Sequence, residues 1–242
     1  MTRHPTGVRP GYLAQAGSIA RQSVAQLVRA PSHSQRAGAR RALARRWLWL
    51  SVGAALVVAV LMFALDARAI ALMPTRGTAS LWPLRLFTDL AKSEYVLWAL
   101  AAVLVAIILA LPRLRGHSCA VLAGFGLRMQ YVFFSVLVAV LITEVLKFVI
   151  GRSRPFVGGR ADAFYFEHFT QNPAFASLPS GHATTAFALA FAVSALWPRT
   201  IVAMAAYAIL ICVSRVVLLA HHPSDVVAGA LVGVIGAMFV RY

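Results

Sequence analysis

Long apolar runs broken by short charged or Pro- and Gly-containing segments dominate the chain. They extend from Trp47 to Leu65, Tyr95 to Pro112, Met129 to Ile150, Ala183 to Pro198, Thr200 to Ala220 and Val226 to Val240. Several approach the roughly 20 residues that a helix needs to cross a bilayer, and the shorter ones reach it with their flanks. The pattern predicts an all-α polytopic membrane bundle of six transmembrane helices, forming one domain over residues 47–242. Composition agrees: 60% of the 242 residues are hydrophobic and only 12% are charged, against roughly a quarter charged in soluble proteins.

Charge adds orientation. The net charge is +16, a value that also fits nucleic-acid binding, but the excess is concentrated. Nine arginines (Arg3, Arg9, Arg21, Arg29, Arg36, Arg40, Arg41, Arg45 and Arg46) and no acid precede Leu65. A basic segment beside a first span reads as a cytoplasmic tail attracted to anionic headgroups, the better account, so no nucleic-acid partner is expected. Residues 1–46, rich in Ser, Gly and Arg, are expected to be a disordered tail; an organelle transit peptide has the same composition. No short apolar core with a small-residue cleavage site precedes Trp47, so the first span is expected to remain as an anchor.

Six crossings place residues 113–128, Arg199 and Arg241 with the tail, all basic and acid-free. The opposite side then holds Asp66, Asp89, Glu94, Asp162, Glu167 and Asp225; only Glu144 lies within a span. The stretch from Asp66 to Glu94, punctuated by Pro74, Gly77 and Pro83, is expected to lie on that outer surface. Cys119 and Cys212 form neither a disulfide framework nor a metal-ligand spacing.

Three clusters carry chemistry. Lys147, Arg152, Arg154 and Pro155 close the third span; arginine offers a planar donor fork for phosphate oxygens, and a basic stop at the membrane border explains them equally. Pro179, Ser180, Gly181 and His182 open the fourth. Ser180 suits a helix cap, Gly181 permits close approach of an anion, and free N–H groups at a helix start bind phosphate. Ser214, Arg215, His221, His222, Pro223, Ser224 and Asp225 span the last turn. There Pro223 fits a first helical position, and a carboxylate near His221 would fix its tautomer. Ordinary helix starts and caps account for the second and third clusters one by one, but leave intramembrane Arg215 unexplained. Parity then decides: the ends of spans three and five and the starts of four and six share one face, so the clusters converge on the outer side.

In order and spacing, Lys147-x6-Arg154-Pro155, Pro179-Ser180-Gly181-His182 and Ser214-Arg215-x5-His221-x3-Asp225 resemble the signature of the type 2 phosphatidic acid phosphatase family, related to vanadium-dependent haloperoxidases. The resemblance covers residues 47–240. It implies His221 as the nucleophile on phosphorus, Asp225 as its orienting carboxylate and His182 as the general acid. It also implies Lys147, Arg154, Ser180, Gly181 and Arg215 as ligands of the phosphoryl oxygens. Neither cofactor nor metal is implied, because fixed cations supply the charge that magnesium supplies elsewhere.

The implied activity is hydrolysis of a lipid phosphomonoester or pyrophosphate through a phosphohistidine. Phosphatidic acid, phosphatidylglycerol phosphate, undecaprenyl pyrophosphate and lipid A phosphate all fit, and Gly151-Arg152-Ser153-Arg154-Pro155 is similar to bacterial lipid A phosphatases of the family. The expected partners are that lipid and the bilayer; oligomeric state stays open. Richness in alanine and arginine points to a bacterium, hence an inner membrane with a cytoplasmic N-terminus and a periplasm-facing site. Glu144, three residues before Lys147, is expected to pair with it. Arg152, Arg160, Asp162, Glu167 and His168 are expected to be solvated loop residues. Phe156, Phe164, Tyr165, Phe166, Phe169 and Phe175 fit a cover over the site or an interfacial belt. A transporter or flippase with a His182, His221 and Asp225 proton relay, a haloperoxidase pocket and a silent lipid-binding scaffold are the rival readings.

Overall fold

The computed structural model describes residues 12–28, 36–75, 77–159 and 161–241. Its helices are α1 (Tyr12–Val28), α2 (Arg36–Leu61), α3 (Ala67–Ala71), α4 (Trp82–Thr88), α5 (Ser93–Ala110), α6 (Gly116–Ile150), α7 (Gly181–Leu196), α8 (Ile201–Val217) and α9 (Pro223–Arg241). A single π-helical turn, Met62–Asp66, joins α2 to α3. Among the described residues, five segments are long and apolar enough to span a membrane: Leu48–Ala71, Ser93–Arg113, Gly116–Ile150, Pro198–Val217 and Pro223–Arg241. The sixth helix of the bundle, α7, is apolar but has 16 residues, or about 24 Å at 1.5 Å per residue. The chain is thus a polytopic all-α membrane bundle.

Two boundaries differ from the sequence expectation. The inner loop expected over residues 113–128 is only a 3₁₀ turn, Leu111–Arg113, and two further residues before α6 begins. Residues 116–150 contain no proline, and the glycine at 126 brings α5 close: a Cβ there would lie 3.1 Å from Ile107 Cγ2. Within the expected disordered tail, residues 12–28 and 36–46 are helical. Ala, Gln and Leu favour helix in the first of these, and Arg113 clamps its start by donating to the Tyr12 hydroxyl at 2.7 Å. Arg3, Arg9, Arg29 and Arg160 lie outside the described residues.

Small residues decide how the core packs. Helix α7 sits between α6, α8 and α9 and buries Ala183, Ala186, Ala188, Ala190 and Ala192. On α9, a Cβ at Gly229 would lie 2.4 Å from Ser180 O, and one at Gly233 would lie 2.4 Å from Thr184 O. At Gly236 it would meet Ala139 Cα at 2.9 Å. Such close backbone approach drives helix association in lipid, where apolar burial offers no net gain. Large side chains face outward instead, among them Trp98, Val202 and Phe239, as a bilayer-facing surface requires.

The packing gives a direct test. Gly233→Ala should destabilise the bundle by about 1–3 kcal/mol, the usual cost of overpacking, read as a lowered thermal midpoint in detergent; Gly53→Ala, with no atom within 4 Å of the added carbon, should leave it unchanged.

Candidate active site

At one end of the bundle α6 stops, α7 starts and the α8–α9 turn crosses between them. Gly151 ends α6 in the left-handed region (φ 58°), and no other residue fits there, because a Cβ would fall 1.7 Å from Glu167 O. The chain then folds back on itself: Glu167 N donates to Gly151 O, Ser153 N to Tyr165 O, and Arg154 N to Ala174 O. This backbone pairing directs Arg154 toward the cavity, and its Nε donates to Pro173 O at 3.0 Å.

A cavity of about 560 Å³ opens at this end, lined by Lys147, Arg154, Gly181, His182, Arg215 and His221, with Lys92, Glu94, Tyr95 and Glu144 around them. Six of the eight expected site residues therefore share one cavity. Lys147 pairs with Glu144 at 2.6 Å, as its spacing predicts. It also lies over the backbone of Gly181, where a Cβ would sit 3.2 Å from Nζ. His182 Nε2 and Arg215 Nε are buried without a hydrogen-bond partner among the described residues. Buried polar atoms rarely stay unpaired, so these two are poised for a ligand that accepts from them.

His221 is held in one tautomer. Its Nδ1 lies 2.8 Å from Ser177 O; a carbonyl only accepts, so Nδ1 carries the proton and Nε2 keeps the lone pair. Burial holds its pKa well below 6.5, and the Arg215 cation pushes the same way against the opposing Asp225 carboxylate. The ring is therefore neutral at pH 7, as a nucleophile must be.

Ser180 and Asp225, the other two expected residues, sit behind the cavity wall, both fully buried. Ser180 occupies the N-cap position of α7, but its hydroxyl makes no capping bond and has no partner among the described residues. Its backbone serves instead, N–H donating to Asp225 O at 2.9 Å. Asp225 departs from the expected direct contact with the nucleophile. Its Oδ2 is 3.9 Å from His221 Nδ1 and 3.1 Å from His222 Nδ1, and it accepts from His222 N at 2.8 Å. That is the reach of a third helical residue back to its own N-cap. The link to His221 runs through Ser177, whose Oγ donates to Asp225 Oδ2 at 2.6 Å while its carbonyl accepts from the imidazole.

Arg152, expected to be a solvated loop charge, is fully buried. Its five N–H donors bond Asp225 Oδ1 (2.6 Å), Ser224 Oγ (2.6 Å), Asp66 Oδ2 (2.7 Å) and Ala163 O, the last twice. Asp66, read from sequence as an outer loop acid, is buried too and accepts from Ser224 N at 2.9 Å and from the Ser224 hydroxyl. The sequence offered one overlooked signal: in so acid-poor a chain, an aspartate directly after an apolar run needs a partner. Asp162 keeps its expected exposed place, accepting from Phe164 N.

This fold and this cavity define a polytopic bundle with a cavity lined by cations and histidines at one end. A family model described as the PAP2 superfamily matches residues 129–242, the stretch that holds all three clusters. Among curated proteins, 103 residues are 44% identical to a lipid A 1-phosphatase of Rhizobium johnstonii and 43% identical to one of Rhizobium etli. Those stretches cover 43% of this chain but only 42% and 44% of the relatives' lengths. Among solved structures, LpxE of Aquifex aeolicus shares the fold with a TM-score of 0.53 at 21% identity, over 74% of this chain and 96% of that one.

The geometry predicts an anion site. Orthovanadate, a phosphate mimic, should bind the purified protein and raise its thermal midpoint. Arg215→Ala should weaken that binding by about ten- to hundredfold, from the roughly 1.5–3 kcal/mol of a hydrogen bond to a charged group. Equal binding by the variant, measured by calorimetry, would place the anion elsewhere.

Proposed function

We propose that this chain hydrolyses the terminal phosphate of a membrane lipid, as a phosphomonoester or pyrophosphate, through a phosphohistidine on His221. The observation that carries the reading is His221, its Nδ1 held by the Ser177 carbonyl, set in a cavity with Lys147, Arg154 and Arg215. Nε2 attacks phosphorus as the ester P–O bond breaks. His182 gives the leaving oxygen its proton, and the phosphate's negative charge makes a protonated His182 compatible with three neighbouring cations. Those cations neutralise the equatorial oxygens, which is most of the work in phosphoryl transfer. Because they are fixed in the protein, the reaction as proposed requires no metal. Water, activated by the now neutral His182, then cleaves the P–N bond and releases phosphate.

The 44% identity to lipid A 1-phosphatases favours a lipid A phosphate over phosphatidic acid, phosphatidylglycerol phosphate and undecaprenyl pyrophosphate. The arginine-rich start favours an inner-membrane setting with a cytoplasmic N-terminus and the site on the periplasmic face. Residues 47–242 are then the phosphatase domain.

Phosphate release from a panel of these lipids, measured on detergent-purified protein with EDTA present, tests the reading. Wild type should release phosphate, and His221→Ala should lose about 10³-fold or more in rate; undiminished release by the variant, or none by wild type, would defeat it. The pH profile follows from the lowered His221 pKa. Activity requires the neutral ring, so kcat/KM should not fall as pH drops through 6.5, and should fall only at lower pH as Nε2 takes a proton.

A further inference from the structure

Resting on that reading, we propose that Asp66, on the first membrane helix, is a positioning residue for His221, acting through Arg152, Asp225 and Ser177. The path is continuous and buried. Asp66 Oδ2 accepts from Arg152 Nη2 at 2.7 Å, Arg152 Nη1 donates to Asp225 Oδ1 at 2.6 Å, and Asp225 Oδ2 accepts from Ser177 Oγ at 2.6 Å. Ser177 in turn places the carbonyl that fixes the His221 tautomer, and its own N–H donates to Arg152 O at 3.1 Å. Ser177 is thus tied to Arg152 by its backbone and, through Asp225, by its side chain.

Two further features mark Asp66 as placed rather than incidental. It closes the π-helical turn Met62–Asp66, and such single turns insert a residue and re-aim a side chain, often at functional sites. It also binds both the N–H and the hydroxyl of Ser224, in the first turn of α9. One carboxylate from the π-helical turn after α2 therefore holds the start of the helix that carries Asp225 and the guanidinium that faces it. With Asp66 neutralised, Arg152 is free to turn toward Asp225 alone, and the Ser177 carbonyl moves with it. Asp66 reaches none of the cations that line the cavity, so lipid binding should not depend on it.

The test is a double-mutant cycle on kcat with the full chain in detergent, using Asp66→Asn, Ser177→Ala and the pair. Asp66→Asn should lower kcat about ten- to hundredfold, the scale of an ångström-level misplacement, with KM unchanged. In the Ser177→Ala background, already slowed, the same change should cost severalfold less than it does in wild type, because the side-chain half of the linkage, through Asp225, is cut. Additive losses, or a lowered melting temperature with kcat unchanged, would make Asp66 a fold brace only and overturn the proposal. If the Asn variant does not fold, Asp66→Glu carries the test by the same fall in kcat at constant KM; failure of both to fold overturns it as well. A wild-type enzyme without phosphatase activity would instead defeat the proposed function itself.

Discussion

A single buried guanidinium organises the cavity end of this protein. Arg152 emerges from the close of α6, spends all five donors on four partners, and is shared between carboxylates from the π-helical turn after α2 and from α9. Taking an arginine out of water costs several kcal/mol unless every donor is met and its charge is countered. Here both conditions hold, and so the helix ends must meet in one arrangement. Removing either carboxylate would leave part of that charge uncompensated, a loss of about 3–5 kcal/mol for a buried pair. The Gly229 and Gly233 contacts with α7 let α9 come near enough for Asp225 to reach the arginine.

From this brace the division of labour follows. Lys147, Arg154 and Arg215 line the cavity; Arg152 is buried away from it. Asp225, tied to Arg152, Ser177 and His222, shapes the wall that presents His221 instead of gripping the imidazole directly. The Ser177 carbonyl sets the proton on Nδ1, and burial beside Arg215 keeps the ring neutral. An imidazole with one fixed proton and one free lone pair, beside His182 Nε2 and Arg215 Nε, which have no partner among the described residues, is suited to attack an electrophile that carries negative oxygens.

Much of this was legible in the residues. Apolar runs of nearly membrane-spanning length gave the bundle, because burial in lipid demands helices whose backbone is satisfied internally. Parity then brought Lys147, Arg154, Gly181, His182, Arg215 and His221 to one end, and the cavity gathers all six. What escaped was contact at long separation: Asp66 and Arg152 stand 86 residues apart, and no local pattern joins them. Choosing between His221 and His222 as the neighbour of Asp225 likewise depended on side-chain direction around an N-cap, which spacing alone does not give. The inner loop was misread because the charges of Arg113, Arg115 and Arg128 marked a non-spanning segment, whereas α6 runs through it from Gly116 and packs Gly126 against Ile107.

The central claim is that His221 carries the phosphoryl group. It is tested most directly by mixing the purified protein with a lipid bearing a radiolabelled terminal phosphate, quenching in alkali within milliseconds and mapping the label by mass spectrometry. The account predicts an acid-labile, alkali-stable phosphate on His221 that appears before free phosphate and is absent from His221→Ala. Label on His182 or His222, or turnover in which no protein-bound phosphate forms at any time, would contradict it.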